Sequence, residues 1–182
     1  MFKFPDVSNC ALVVVDIQER LIKAMDENKY RKKMITSVNI ANEMELPLVV
    51  TEQYPRGLGN TIEEIKEILL PSVEVLEKTS FSCWGATGFV EAVKNTEATV
   101  LVVIGMESHV CVLQTVLEAV ERGYKVVVPV DCVSSRSELD KTMALEQMKE
   151  AGVMLTTLEA LAFSWLKGAK HPSFRTISKL IV

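Results

Sequence analysis

Several patterns that would assign this 182-residue chain to a common protein class are missing. It has only two histidines, too few for a conventional histidine-rich metal site. No G-x-G-x-x-G follows the first apolar run, and no G-x-x-x-x-G-K-[ST] occurs, so the usual phosphate cradles of nucleotide-binding proteins are absent. The four cysteines form no C-x-x-C pair, which argues against a thiol-redox protein with a closely spaced resolving cysteine.

The charge and hydropathy of the chain argue against nucleic acid and membranes as partners. The net charge of -4 and the isoelectric point near 5.3 argue against nucleic acid, because phosphate binding favours a basic surface. No apolar run approaches the roughly 20 residues of a membrane span. The segment 1–6 lacks the apolar core of a signal peptide, so we expect a cytoplasmic protein whose cysteines are free thiols.

Short apolar runs alternate with amphipathic segments along the whole chain. Strands are predicted at 10–15, 47–51, 73–77, 98–104, 125–130 and 153–155. Helices are predicted near 28–46, 60–69, 86–95, 108–122 and 138–151. This alternation predicts one α/β domain over 1–182, a Rossmann-like three-layer α/β/α sandwich with a six-stranded parallel sheet. The apolar tail from 164 to 182 is expected to pack on this domain or on a neighbouring subunit.

Three chemically active side chains follow strand-like runs. Asp16 comes after the first run, Lys78 after the third, and Cys111 one turn beyond the fourth. Ligands of open parallel α/β sheets bind outside the carboxyl ends of the strands. An acid, an amine and a thiol at that edge form a plausible nucleophilic set. Taken singly, Asp16 is better explained as a helix cap and Lys78 as a solvated surface residue.

The environment of Cys111 bears on its reactivity. Ser108 is the predicted helix N-cap, which places Cys111 in the first helical turn, where unpaired N–H groups favour a thiolate. Lys78 favours the thiolate as well, and Asp16 opposes it. Most free cysteines are simply small buried side chains, and this segment alone does not separate the two interpretations. His109 lies two residues away, points elsewhere on a helix, and is interpreted as a partly exposed polar residue rather than a base.

Five segments together resemble the isochorismatase-like cysteine hydrolase superfamily over residues 12–162. They are Val14-Val15-Asp16-Ile17-Gln18, Thr51-Glu52-Gln53-Tyr54-Pro55, Glu77-Lys78-Thr79-Ser80-Phe81-Ser82, the turn 105–111 and Asp131-Cys132-Val133-Ser134-Ser135-Arg136. The resemblance implies a six-stranded parallel sheet between helices, and it implies an Asp–Lys–Cys triad formed by Asp16, Lys78 and Cys111. It also implies a cis peptide between Met106 and Glu107.

The resemblance further implies a mechanism. Asp16 would accept the thiol proton, Cys111 would attack an amide-like carbon, and Lys78 would stabilise the carboxylate or the developing charge. The backbone N–H groups of Glu107 and Cys111 would form the oxyanion hole. Residues beside the triad are predicted to contact the substrate. They are Gln18, Gln53, Tyr54, Phe81 and Trp84. Phe81 and Trp84, with Cys83 between them, form an apolar cluster that suits either a substrate pocket or the core.

Two departures narrow the predicted activity. The nicotinamidase branch of the family binds a metal through Asp-x-His and a further histidine after the second strand, where this chain has Glu52-Gln53-Tyr54. The isochorismatase branch cleaves a vinyl ether, and some of its members lack the cysteine. The presence of Cys111 in this chain argues for thiol chemistry and against isochorismate as the substrate. The chain is therefore predicted to hydrolyse a small amide-like C–N bond without cofactor or metal. The resemblance also implies a homo-oligomer. The alternatives are a metal-dependent nicotinamidase or a non-catalytic interaction protein that retains the fold.

Overall fold

The computed structural model describes residues 3–25 and 27–181, with the backbone alone at 27–29. Its strands are β1 (Cys10–Val15), β2 (Leu48–Gln53), β3 (Val75–Lys78), β4 (Val100–Met106), β5 (Lys125–Pro129), β6 (Val133–Ser134) and β7 (Met154–Thr156). Its α-helices are α1 (Glu19–Lys23), α2 (Glu27–Glu43), α3 (Pro55–Leu58), α4 (Glu63–Lys66), α5 (Phe89–Asn95), α6 (Leu113–Glu121), α7 (Glu138–Glu150), α8 (Leu158–Leu166) and α9 (Phe174–Ile181). None of the helices in these described ranges is long and apolar enough to cross a membrane.

The strands form one parallel sheet in the order β3-β2-β1-β4-β5-β7. These six strands confirm the predicted sheet. The two-residue strand β6 pairs with the end of β4 and was not predicted, because two residues carry no readable hydrophobic pattern. All pairings are parallel, so the carboxyl ends of β3, β2, β1 and β4 lie side by side at one edge.

Helices cover both faces of the sheet, which confirms the three-layer sandwich. All six residues of β1 and all seven of β4 are buried, as expected for central strands of a doubly covered sheet. Successive residues of β1 face opposite sides. Leu12 and Val14 join the core beneath α2, α8 and α9, and Val13 and Val15 join the core beneath α5, α6 and α7.

Helix boundaries differ from the predictions in two informative places. The helix predicted over 60–69 is a single turn, α4, and the helix predicted over 108–122 begins as a π-helix at Ser108–Val112 before continuing as α6. The short helices α1 and α3 were not predicted, because one turn is too short to show a 3.6-residue period.

The carboxyl-terminal tail packs on its own domain. Helix α9 lies against α2, and its Ile177 is fully buried in the core that also contains Trp165 and Leu166 of α8. This confirms the first of the two packings expected for the apolar tail.

We therefore expect Ile177→Ala to lower the free energy of unfolding by about 2–3 kcal/mol, because truncating a buried side chain loses transfer free energy and leaves a cavity. Urea denaturation measures the change. Arg175→Ala, on an exposed residue of the same helix, serves as the control and should leave the midpoint nearly unchanged. Equal midpoints for both variants would show that α9 does not pack as described.

Candidate active site

The structure brings the side chains of Asp16, Lys78 and Cys111 together at the carboxyl edge of the sheet. Asp16 follows β1, Lys78 is the last residue of β3, and Cys111 lies in the π-helix after β4. The Lys78 Nζ atom lies 2.7 Å from Asp16 Oδ2, and the Cys111 thiol lies close enough to the Asp16 carboxylate for each group to shift the pKa of the other. All three residues are buried, with exposed fractions of 4% for Lys78, 0% for Asp16 and 6% for Cys111.

The ammonium group of Lys78 is surrounded by protein acceptors. It lies 2.7 Å from Asp16 Oδ2, 2.6 Å from Gln53 Oε1, 3.0 Å from the Phe81 carbonyl oxygen and 3.2 Å from that of Ser80. An ammonium carries three N–H donors, so these four oxygens fully occupy it. Lys78 is therefore placed to hold the Asp16 carboxylate rather than to donate to a bound substrate.

The thiol of Cys111 is protonated at rest. Burial, and after it the Asp16 charge, raise its pKa to about 12 against the smaller opposing effect of Lys78. The balance that the sequence left open, with the helix N-terminus and Lys78 favouring the thiolate and Asp16 opposing it, therefore falls on the side of the thiol. In a buried site next to a carboxylate, the proton must be removed when the thiol reacts.

The ion pair next to the thiol is held in its charged form. Burial raises the pKa of the Asp16 carboxyl, and the neighbouring Lys78 partly offsets that rise. Burial also favours loss of the Lys78 proton, but the charge of Asp16, and the charges that Cys83 and Cys111 acquire only at high pH, outweigh it, so the pKa of Lys78 lies above its usual value. A carboxyl whose pKa is raised is better suited to accept and return a proton than an ordinary surface carboxylate.

The segment that carries Cys111 differs from the predicted capped helix. Glu107 occupies the N-cap position of the π-helix and makes no side-chain capping bond, and Ser108 is the first helical residue. The Ser108 hydroxyl is buried and has no hydrogen-bond partner among the described residues. The Glu107 carboxylate instead accepts from the backbone N–H and Nε of Arg136, at 3.2 and 3.0 Å. The prediction of Ser108 as N-cap is therefore wrong.

Comparison with known proteins assigns the chain to a family. Residues 10–160 match the family model described as the isochorismatase domain. The chain belongs to the isochorismatase domain family. It is 36% identical to isochorismatase family protein 1A of Dictyostelium discoideum, over 93% of this chain and 84% of that protein. It is 35% identical to isochorismatase domain-containing protein 2 of Rattus norvegicus, over 98% of this chain and 82% of that protein.

Solved structures of the family share the whole fold. The MAR1 ribonuclease of Caenorhabditis elegans superimposes with a TM-score of 0.92 at 37% identity, over 98% of this chain and 92% of that one. YcaC of Pseudomonas aeruginosa has the same fold, with a TM-score of 0.93 at 24% identity, over 99% of this chain and 92% of that one. The chain is thus an isochorismatase-family hydrolase, and its substrate is the open question.

The backbone at the end of β4 has one feature that the family resemblance implied and a second that it did not. The Met106–Glu107 peptide is cis, as expected. Gly105 has φ +122°, and a Cβ at this position would lie 2.0 Å from the Val15 carbonyl oxygen. Only glycine allows β4 to approach β1 this closely, immediately beside Asp16.

Of the predicted substrate-binding residues, the two glutamines are engaged with the protein. Gln53 accepts from Lys78 Nζ and donates from Nε2 to the Thr79 carbonyl oxygen at 3.0 Å. Gln18 donates to the carbonyl oxygens of Gln53 and Gly59 at 3.0 and 2.6 Å, and it accepts from the Gln53 N–H at 2.8 Å. Gln18 therefore ties the end of β2 to the following loop, and the structure does not support its predicted contact with substrate.

The three aromatic residues separate into two groups. Tyr54 and Phe81 are about half exposed, at 54% and 53%, and they follow β2 and β3 at the edge that carries Lys78. Trp84 instead lies in the core, packed edge-on against Phe89 with ring centroids 5.1 Å apart. Its Nε1 donates to the Thr115 carbonyl oxygen at 3.0 Å. Trp84 thus takes the core position that was the alternative to a substrate contact.

Sequence reasoning missed Thr51 and left Cys83 open. The Thr51 hydroxyl donates to Asp16 Oδ1 at 2.8 Å and lies 3.4 Å from the Cys83 Sγ atom. Cys83 is fully buried, and burial raises the pKa of its thiol to about 11. A threonine that ends an apolar run is common in strands, so the pattern alone gave no signal of this contact.

The remaining polar groups near the site bind one another. The half-buried ring of His109 contacts the Ser135 hydroxyl at 3.0 Å and Asp140 at 3.9 Å, which confirms its interpretation as a polar residue directed away from Cys111. The Glu52 carboxylate accepts from the Thr61 backbone N–H. In the described part of the chain no cluster of three or more His, Cys, Asp or Glu side chains is placed to hold a metal ion.

Proposed function

We propose that the chain is a cysteine hydrolase that cleaves a small amide-like C–N bond through a thioester on Cys111. One observation carries the proposal. The Cys111 thiol lies beside a buried carboxylate, Asp16, which Lys78 and Thr51 hold by hydrogen bonds of 2.7 and 2.8 Å. A protonated nucleophile in contact with an oriented base is the arrangement that nucleophilic acyl transfer requires.

The chemistry follows from this geometry. As Cys111 Sγ attacks the substrate carbonyl carbon, its proton passes to Asp16. The tetrahedral intermediate then collapses, the C–N bond breaks, and Asp16 gives the proton to the departing nitrogen. A water molecule attacks the thioester and loses a proton to Asp16, and the C–S bond breaks to release the acid. Asp16 returns that proton to the Cys111 sulfur, which restores the starting state.

Two groups of residues complete the proposed site. The backbone N–H groups of Glu107 and Cys111 stabilise the oxyanion, in keeping with their place at the start of the helix after β4. Tyr54 and Phe81 contact the substrate from the exposed side. The near-complete burial of Asp16, Lys78 and Cys111 favours a small substrate over a polymer.

RNA is the principal alternative substrate, because the Caenorhabditis elegans protein at 37% identity is named MAR1 ribonuclease. The net charge of -4 and the buried, fully occupied Lys78 argue against it, since a polyanion needs accessible cations. Metal-dependent nicotinamide hydrolysis lacks a ligand cluster in the described ranges 3–25 and 27–181. A purely structural role is disfavoured because Asp16, Lys78 and Cys111 are all retained and in contact.

We also propose that the protein is a homo-oligomer. Leu139 and Met143 lie one turn apart on α7, and they are 70% and 45% exposed. Exposed apolar side chains grouped on one helix suit a subunit contact. The Escherichia coli YcaC structure, 23% identical over 98% of this chain, is described as an octameric hydrolase.

A substrate screen tests the enzymatic proposal. Small neutral amides and ureides are incubated with the protein, and product formation and intact protein mass are followed together. We expect hydrolysis of at least one compound and an acyl adduct that peptide mapping locates on Cys111. Nicotinamide with added zinc and a mixed-sequence RNA form the comparison arms. Cleavage of RNA, or of nicotinamide only when metal is present, with the amides untouched, would reject the proposal.

A further inference from the structure

We propose that Thr51 is a positioning residue that aims the Asp16 carboxylate at Cys111. The inference rests on the proposed function, in which Asp16 takes the proton of the Cys111 thiol. Thr51 does not touch the thiol, so any effect on the reaction must pass through Asp16. Its hydroxyl and its carbonyl group both contact that one residue.

Thr51 holds Asp16 at two points. In the parallel register of β1 and β2, Thr51 pairs with Val15, the residue before Asp16. The Thr51 carbonyl oxygen accepts from the Asp16 backbone N–H at 3.2 Å, and its Oγ1 donates to Asp16 Oδ1 at 2.8 Å. Asp16 has φ +51°, a left-handed conformation that few non-glycine residues adopt and that surrounding contacts must maintain.

The direction of the hydrogen bonds at Thr51 follows from the number of protons. A carboxylate only accepts, so the single hydroxyl proton of Thr51 points to Asp16. The Cys83 thiol, 3.4 Å away, must then donate to the Thr51 oxygen. The result is a directed chain from Cys83 through Thr51 to Asp16, in which each proton points toward the carboxylate.

A second threonine ties this chain to the nucleophile. The Thr115 hydroxyl accepts from the Cys83 backbone N–H at 2.9 Å and donates to the Cys111 carbonyl oxygen at 2.6 Å. Cys83 is thus connected to Asp16 by its side chain and to Cys111 by its backbone. One buried network of hydrogen bonds therefore fixes the positions of the base, Asp16, and the nucleophile, Cys111, relative to each other.

The network fixes the orientation of the carboxylate plane. Thr51 occupies Asp16 Oδ1 and Lys78 occupies Oδ2, so rotation about the Cβ–Cγ bond would break one of these bonds. Without the Thr51 hydroxyl the carboxylate is free to turn from Cys111. It also loses a donor that favours its charged form, so the pKa of Asp16 rises further above its usual value.

The test compares Thr51→Val with Thr51→Ser. The rate of Cys111 alkylation by iodoacetamide is measured by peptide mapping between pH 5 and pH 9. For Thr51→Val we expect the alkylation rate at pH 7 to fall about tenfold, as for the loss of one hydrogen bond to a charged group. We also expect the acidic part of the pH–rate profile to move up by about one pH unit. Thr51→Ser keeps the hydroxyl and should react within about threefold of wild type.

Thr61→Val is the matched control. Thr61 is fully buried, and its hydroxyl has no hydrogen-bond partner in the part of the chain that the structure describes. The same isosteric change should therefore leave the alkylation rate and the pH profile unchanged. If Thr51→Val does not fold, Thr51→Ala removes the same hydroxyl with less bulk and carries the same expectation.

Four results would overturn the inference. A Thr51→Val profile that coincides with wild type shows that the hydroxyl does not act on Asp16. A lower rate with an unmoved acidic part of the profile, or equal losses in Thr51→Val and Thr51→Ser, shows a structural role only. Asp16→Asn is the reference: if it alkylates with the wild-type pH profile, Asp16 is not the base, and the proposed function fails together with this inference. If Asp16→Asn does change the acidic part of the pH profile but Thr51→Val does not move it, the inference about Thr51 fails and the proposed function stands.

Discussion

Replacement of Cys111 by alanine should lower kcat/KM for the amide substrate by at least about 10⁴-fold, because the bond-forming atom is removed. The fold should survive. Alanine suits a helical segment, and losing one buried sulfur costs about 1 kcal/mol of unfolding free energy. Steady-state kinetics and urea denaturation on the same preparation measure both effects.

Cys10→Ala is the matched control for this experiment. Cys10 is an equally buried thiol in β1, and its Sγ atom contacts the Asp6 carbonyl oxygen at 3.3 Å, away from the reacting groups. Its replacement should leave kcat/KM within about twofold of wild type, since it removes no group that contacts substrate. Turnover by Cys111→Ala at a rate near that of Cys10→Ala would reject the covalent mechanism.

Replacement of Lys78 by methionine should have the largest effect on stability. It leaves the fully buried Asp16 carboxylate without its cation, and breaking a buried ion pair from one side costs about 3–5 kcal/mol at neutral pH. Four acceptor oxygens also lose their donor. Lys66→Met, which removes an ion pair with the exposed Glu63 at 3.8 Å, should leave the denaturation midpoint nearly unchanged.

The sign of the pH dependence follows from the two pKa shifts. In the wild type the pKa of Lys78 is raised, so the stabilisation from its proton is complete at neutral pH and is lost only as the pH rises above 10.5. In Lys78→Met, burial raises the pKa of Asp16 without an opposing cation, so the folded variant binds a proton as the pH falls. The destabilisation should therefore shrink between pH 7 and about pH 4. If the loss of unfolding free energy in Lys78→Met relative to wild type is constant or grows toward acid pH, the ion-pair explanation is contradicted.

Much of the fold was predictable because its signals are local. Continuous apolar runs such as those of β1 and β4 indicate strands covered on both faces, and alternating helices indicate parallel crossovers. Topology then places Asp16, Lys78 and Cys111 at one edge, which is why three residues far apart in sequence could be grouped. The two-residue strand β6 and the one-turn helices carry no periodic signal and could not be predicted this way.

The parts of the site that escaped prediction depend on packing. Trp84 and Phe81 are both aromatic residues shortly after Lys78, yet one is buried in the core and the other is half exposed. The contact of Thr51 with Cys83 joins residues 32 apart in sequence, and no pattern encodes it. The charge state of Cys111 depends chiefly on burial and then on Asp16, and the extent of that burial is a property of the packing that sequence position does not give.

Competitive alkylation of the four thiols tests most directly whether Cys111 is the activated nucleophile. Folded protein at pH 7 is treated with substoichiometric iodoacetamide, and the labelled cysteines are identified by peptide mapping. All four thiols have raised pKa values, and Cys111 lies beside the Asp16 carboxylate, which is placed to accept its proton. The account predicts that Cys111 is labelled first and that Asp16→Asn removes this preference. First labelling of Cys10 or Cys132, or an undiminished preference for Cys111 in Asp16→Asn, would contradict it.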